Sequence, residues 1–382
     1  MNTDVVVYGA TGLVGRRVCA DLDRGGVAFA IAGRRADAID ALGRELPSAD
    51  KLIATLGEPE ALVRAFSGAK VVVNCAGPLA AVGEPIVVAA LAAGAHYVDL
   101  GGDQAFVHAL FERHDSSARR AGRVVVPGCA VDGLLGDLAA AWAARHVCGI
   151  TDDGDTVRTG PVMRLAEDRP LDEVCVSYIF DDLVLSPGSQ KTLFGTLGAR
   201  SLAWKRDRWE PAGATRRRVN AGPQLGGERT AVGFGGGDVI TIPRHVAARS
   251  VQAFVSTTRN AAAATAMRLV ARALPLVPKK ASELLAPYTP PEDHYARTQF
   301  AVVAQARRSF AAAQVVVRGR DIYQTSGSIA AWVARALVSR PGGPVGMRAP
   351  AELFRPAPAL QEIATAAGLS IEPSFGVLST NV

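Results

Sequence analysis

Val5-Val6-Val7-Tyr8 runs straight into Gly9-Ala10-Thr11-Gly12-Leu13-Val14-Gly15, and a helix-periodic stretch follows from Val14 to Asp23. A strand that ends in a glycine turn and opens a helix suits a pyrophosphate. Small residues let backbone approach the ligand, and the first helical turn offers unpaired N–H groups and a favourable dipole. Gly9, Thr11, Gly12, Leu13, Val14 and Gly15 are therefore expected to contact a dinucleotide. About twenty residues on, where an NAD site would carry an acid for the ribose hydroxyls, stand Arg34 and Arg35. Two guanidinium groups can clamp a 2′-phosphate, which makes NADP(H) the expected cofactor. Cys75-Ala76-Gly77-Pro78, at the end of another strand-like run, would let a nicotinamide ribose lie close to backbone.

Hydride delivery to a polarised double bond also requires a proton donor and groups that hold the substrate in place. Tyr97 and Asp99 lie on one side of a short strand pattern, with His96 on the other, and Asp103 follows its end. Tyr97 is the expected proton donor, with Asp99, Asp103 and Asp132 completing the candidate catalytic set. The plainer role for Asp103 and Asp137 is helix capping, since each stands by an apolar helical run. None of the six tyrosines has Lys four residues later, so the Tyr-x-x-x-Lys pattern of short-chain dehydrogenases is missing.

These residues need a scaffold. Strand-like runs at Val5–Tyr8, Phe29–Ala32, Leu52–Thr55, Val71–Cys75, Tyr97–Leu100 and Val124–Pro127 alternate with helical stretches such as Glu84–Ala93. That alternation predicts an α/β fold, an N-terminal Rossmann domain with a doubly wound parallel sheet over residues 1–137. Residues 138–320 read as an α+β substrate domain: a helix at Leu138–Val147, then strands at Val174–Phe180, Val239–Ile242, Val251–Val255, Gln299–Arg307 and Ala312–Arg318. Residues 321–382 read as a returning helical segment (Gly327–Val338, Ala359–Ala367). The basic, Gly- and Pro-rich stretch Lys205–Arg229 reads as a long loop.

The chain has 382 residues, 49% hydrophobic and 20% charged, and a net charge of +6. Such a composition supports large buried cores and excludes an intrinsically disordered chain. Its five cysteines form no C-x-x-C pair, which predicts reduced thiols and no metal site. With a strand pattern starting at Asp4, no secretory signal is expected. The apolar stretches Gly133–Val147 and Ala261–Val277 are short and interrupted by charge, so no transmembrane segment is expected. A cytoplasmic location follows as an expectation. No recognisable module accompanies the basic charge, which argues against nucleic acid.

Taken together, Gly9–Gly15, Ala32-Gly33-Arg34, Asn74–Pro78, Gly94–Asp103 and Ala130–Asp137 resemble the saccharopine dehydrogenase-like oxidoreductases, especially the branch with trans-acting enoyl reductases. Weaker echoes lie at Ser186–Ser189, Ile242-Pro243-Arg244, Gly319–Thr325 and Ala349–Glu352. The chain departs from the family pattern at Asp103, where a longer acid is usual, and at Leu135, where proline is usual. The resemblance implies a nicotinamide cofactor, a second domain, frequent homodimers, and reduction of an enoyl thioester or an imine-type bond. Under that reading the cations of Lys205–Arg229 are a candidate docking patch for an acyl carrier protein. Two rivals stand beside it. Pro127-Gly128-Cys129 is similar to the nucleophilic cysteine site of semialdehyde dehydrogenases, and a non-catalytic NADP(H)-binding protein could retain the same scaffold.

Overall fold

The computed structural model describes residues 3–377 apart from 153, 182, 197–200, 214 and 258–288. Residues 261–277, read above as an apolar helical stretch, lie outside the described residues.

The first sheet is built from β1 (Val5–Tyr8), β2 (Phe29–Gly33), β3 (Asp50–Ile53), β4 (Val71–Asn74), β5 (His96–Asp99) and β6 (Val124–Val126). The intervening helices are α1 (Leu13–Arg24), α2 (Ala36–Glu45), α3 (Pro59–Phe66), α4 (Leu79–Ala92) and α5 (Gln104–Arg120). All pairings in this sheet are parallel, and β1 lies between β4 and β2. Strand order therefore reverses between β1 and β4, which opens a crevice at their carboxyl ends. Alternation along the strands explains the layers: Val5, Val7, Val71, Val73 and Val98 join one core cluster, while Val6, Tyr8, Val72 and Tyr97 join another. Strands buried on both faces are why these runs read as nearly continuous valine.

After α6 (Gly136–Val147) the chain enters a second, mixed sheet. Its elements are β7 (Glu173–Asp181), α7 (Pro187–Thr196), β8 (Leu202–Lys205), β9 (Arg208–Pro211), β10 (Arg216–Asn220), β11 (Glu228–Phe234), α8 (Asp238–His245), β12 (Ser250–Ser256), α9 (Glu292–Arg297), β13 (Gln299–Arg308) and β14 (Ala311–Arg320). The chain then returns through α10 (Ile322–Val338), β15 (Gly346–Met347), α11 (Pro350–Leu353) and α12 (Pro356–Ala367) to β16 (Ser370–Val377).

Three readings of the second half are corrected. Lys205–Arg229 is not one long loop: it holds the ends of a β8–β9 hairpin, all of β10 and the start of β11. Val239–Ile242 is helical, inside α8, because its side chains pack inward on two core clusters. The returning segment is not only helical. Its β15 adds a parallel edge to the first sheet beside β6, and its β16 pairs antiparallel with β14 in the second. The C-terminal segment thus stitches both sheets together.

Candidate functional site

The glycine turn after β1 sits at the switch point. Gly9 has φ +81, and a Cβ there would lie 2.6 Å from the amide nitrogen of Ala76 in the turn after β4. Gly15 is equally constrained, since its Cβ would meet the Gly9 carbonyl oxygen at 2.3 Å. These two glycines let the turn, the first helical residues and the β4 turn share one tight space. Gly12 is the N-cap of α1 and supplies no side-chain cap, and the first turn of α1 carries no acid. That helix end therefore keeps free N–H groups for an anion. Thr11, Leu13 and Val14 surround it and are partly accessible.

Arg34 and Arg35 follow β2, and both are exposed. The charge of Arg34 reaches the Tyr8 hydroxyl, where it partly opposes the upward push of burial on that phenol. Neither arginine has an ion-pair partner among the described residues, whereas Arg16 and Arg17 on α1 are paired with Glu45 and Asp321. Cys75, Ala76, Gly77 and Pro78 line the other side of the crevice. Asn74 braces this turn by accepting a 3.0 Å hydrogen bond from the Ala76 amide through Oδ1 and donating a 3.0 Å bond to the Tyr97 hydroxyl through Nδ2.

The four acid–base candidates separate. Tyr97 is fully buried in the cluster of α3, α4 and α5, and burial, followed by the charge of Asp99, holds its phenol far above the usual range. Its place is a brace beneath the crevice, not a donor at the surface. Asp99 is also fully buried. Its Oδ1 accepts bonds from the amides of Gly101 (2.9 Å) and Gly128 (3.0 Å), so it ties the turns after β5 and β6 together. Burial pushes its carboxyl up to about 6, with those two amides pulling the other way. Asp103 is the N-cap of α5 and accepts from the Phe106 amide at 2.8 Å. Asp132 remains partly accessible, in a distorted turn against Gly102, and burial raises its carboxyl to about 6.

The fold also makes pairings that no motif joins, and Asp137, read above as a helix cap, does not cap α6, whose N-cap is Leu135 with no side-chain cap bond. Gln104 is buried, and its side chain grips the second domain: Nε2 donates to the carbonyls of Leu202 (2.9 Å) and Gly236 (3.2 Å), and Oε1 accepts from the Leu202 amide (2.6 Å). Beside it, the Gly237 amide donates to the Gly102 carbonyl at 3.1 Å. Asp137 in α6 pairs with His245 of α8 at 2.9 Å and accepts from the Ala351 amide at 2.8 Å. Asp238 accepts a 2.7 Å bond from Tyr178, and burial drives its carboxyl up to about 8. No periodicity marks these pairs, because each partner lies on a different element.

Cys129 is fully buried. Its thiol donates to the Val126 carbonyl at 3.7 Å and is pushed well above its ordinary value by burial, then by Asp99 and Asp137. Acids in place of a cation are the reverse of what a thiolate nucleophile needs. The expected basic patch is also largely neutralised. Arg217 pairs with Glu173, Arg218 with Glu228 and Arg208 with Glu210, while Arg229 is buried against the carbonyls of Leu225 and Phe180.

Residues 5–126 match the family model described as the saccharopine dehydrogenase NADP binding domain. The match covers the whole of the first sheet up to β6 and shows what this part of the chain is similar to. The cofactor is therefore NADP(H), in line with the glycine turn and the two arginines. A Mycobacterium tuberculosis protein named as a candidate trans-acting enoyl reductase is 32% identical over 167 residues, 42% of this chain and 40% of that protein. A lipid droplet localized protein of Caenorhabditis elegans is 30% identical over 158 residues, 38% of this chain and 37% of that protein. The matches thus span about two fifths of these relatives' length. Saccharopine dehydrogenase (L-Glu forming) of Saccharomyces cerevisiae shares the fold, with a TM-score of 0.63 and 13% identity over 98% of this chain and 100% of that one. Among the described residues, no helix is long and apolar enough to cross a membrane.

Proposed function

We propose that the chain is an NADP(H)-dependent reductase of a polarised C=C or C=N bond. The observation that carries this reading is the uncapped start of α1 at the switch point, with Arg34 and Arg35 free beside it. Gly9, Thr11, Gly12, Leu13, Val14 and Gly15 would hold the pyrophosphate, the two arginines the 2′-phosphate, and Cys75, Ala76, Gly77 and Pro78 the nicotinamide side. When bound, the reduced cofactor supplies hydride.

The chain's own task is then to hold the substrate and move one proton. Asp132 is the proposed donor, because it is partly accessible and its carboxyl, at about 6, lies near the working range of a general acid. Tyr97 and Asp99 position the turns around it, and Asp103 fixes the start of α5. The relatives named for enoyl reduction favour an enoyl thioester as the substrate class. A carrier-bound acyl group is the natural form of such a substrate. Among the expected docking cations, Arg216 is exposed and has no ion-pair partner among the described residues. Charge reversal at Arg216 tests carrier docking by its effect on KM for a carrier-bound acyl group.

The first test is a fluorescence titration with NADPH and NADH. The Arg34→Ala variant is expected to weaken NADPH binding by roughly 10- to 100-fold, the value of one or two charge-assisted contacts, and to leave NADH unchanged. Equal loss for both nucleotides would remove the 2′-phosphate clamp from the reading. NADPH binding without oxidation in the presence of enoyl thioesters and imines would favour a non-catalytic binding protein.

A further inference from the structure

The helix that opens on the cofactor is tied, bond by bond, to the starts of two other helices. Arg17 lies in the second turn of α1. Its Nη1 donates to Asp321 Oδ2 and to Gln324 Oε1, each at 2.9 Å. The ion pair is largely sheltered, with side chains 17% and 15% exposed, so solvent screens it little. Asp321 is the N-cap of α10, and its Oδ1 accepts from the amides of Tyr323 (3.1 Å) and Gln324 (2.9 Å). Its backbone sits at φ +49, a conformation that a non-glycine residue keeps only where its surroundings fix it. Arg17 and the two amides supply that constraint.

Tyr323, in the first turn of α10, carries the connection on to α7. It is buried, and the ring of Tyr295 in α9 packs edge-on against it at 5.0 Å. Its hydroxyl accepts from the Ser186 amide at 2.7 Å and donates to Ser189 Oγ at 3.1 Å. Ser186 immediately precedes α7, and its Oγ accepts from the Ser189 amide at 3.2 Å, which is the geometry of an N-cap. The cap of α7 is therefore held by a residue of α10, and the cap of α10 by a residue of α1. Beyond α7 the chain reaches Leu202, which Gln104 holds at the start of α5. Since α1 and α5 pack on opposite faces of the first sheet, α7 belongs to a stretch anchored on both sides of its carboxyl edge.

We propose that this relay makes the order of α7 depend on the cofactor: NADPH seated at the start of α1 fixes Arg17, and through Asp321 and Tyr323 it fixes the cap of α7. This rests on the cofactor seat proposed above. No large movement is needed. A ligand that stiffens α1 lowers the freedom of each helix start bonded to it, and that loss of freedom is itself a coupling between sites. Tyr323 is the clasp, since its one hydroxyl joins the α10 turn to two residues at the start of α7. The stretch anchored across the carboxyl edge is then set by whether NADPH is in place.

The test is amide exchange followed by NMR on the full chain, with and without saturating NADPH. In the wild type, NADPH is expected to slow the Ser186 and Ser189 amides by about 10-fold, within the usual range of coupling between two sites, and to leave Val302 and Val303 in β13 unchanged. Tyr323→Phe removes the clasping hydroxyl, so both amides should quicken and lose their response to NADPH. Asp321→Asn keeps a cap for α10 but not the ion pair with Arg17. In that variant both amides should exchange at the wild-type rate without cofactor and fail to slow with it. A Tyr323 with a merely structural role would quicken exchange and leave the response intact. A wild-type response in either variant, or none in the wild type, would overturn the coupling. The Gly12 and Val14 amides decide the cofactor seat separately: NADPH that binds without slowing them would overturn the placement at α1.

Discussion

At the scale of single residues, the site combines backbone made accessible by glycine with carboxyl groups kept from solvent. Gly9 is the clearest case of the first. A methyl group at that position would strike the Ala76 amide and force a side chain into the left-handed region. Gly9→Ala is expected to lower stability by about 1–3 kcal/mol and to abolish NADPH binding, read by thermal unfolding and fluorescence together. Asp99 illustrates the second. Its folded carboxyl sits at about 6, above the ordinary value of 3.8, because burial penalises the charge. A raised folded value means that its contribution is fully present below the unfolded value and is lost as pH rises through about 6. Asp99→Asn never ionises, so its stability relative to wild type should improve by up to roughly 1.4 kcal/mol per pH unit across that window. Urea midpoints at several pH values check this. A constant gap would mean that the Gly101 and Gly128 amides fully compensate the charge.

Among the elements, the start of α5 stands out because it belongs to the first domain yet holds the second. Gln104 satisfies the Leu202 amide and carbonyl, which are half-buried, together with the buried Gly236 carbonyl. Gln104→Ala would leave these groups unpaired, at about 1–3 kcal/mol for each buried group that water cannot reach. Hydrogen exchange should quicken at the Leu202 and Gly237 amides while the β1 and β4 amides stay protected. Uniform quickening would show a global loss and not an opened joint. The α8 segment shows why such elements are hard to read in advance. Val239-Ile240-Thr241-Ile242 has the β-branched content of a strand. Packing of Val239 and Ile242 on one core and Ile240 on another overrides that preference.

Over the whole molecule, the C-terminal segment decides how the two sheets are held. Helix α10 lies along α1, and the contact depends on Gly327, where a Cβ would stand 2.8 Å from the Arg17 Cβ. Arg17 then reaches Asp321 and Gln324 at the start of α10, each at 2.9 Å. Overpacking this seam with Gly327→Leu is expected to cost about 1–3 kcal/mol and to expose the region around Arg320 to limited proteolysis. Unchanged cleavage would mean that β15 and β16 anchor the segment without α10. Because α1 is also the helix that opens on the cofactor, NADPH binding should weaken in the same variant.

How far the sequence carries follows from the range of the interactions involved. The glycine turn, the arginines after β2, the parallel α/β alternation and the NADP(H) cofactor were legible because each rests on neighbours in the chain or on a strict period along a strand. Asp103 as a helix cap was legible for the same reason. The inward position of Tyr97, the Gln104 grip, the Tyr178–Asp238 pair and the Asp137–His245 pair were not. Tyr178 and Asp238 are 60 residues apart, and Asp137 and His245 are 108 apart, so no local pattern links them. Burial and charge pairing are properties of surfaces that meet only after folding, and here they meet where the returning chain and the second sheet close over the carboxyl ends of the first.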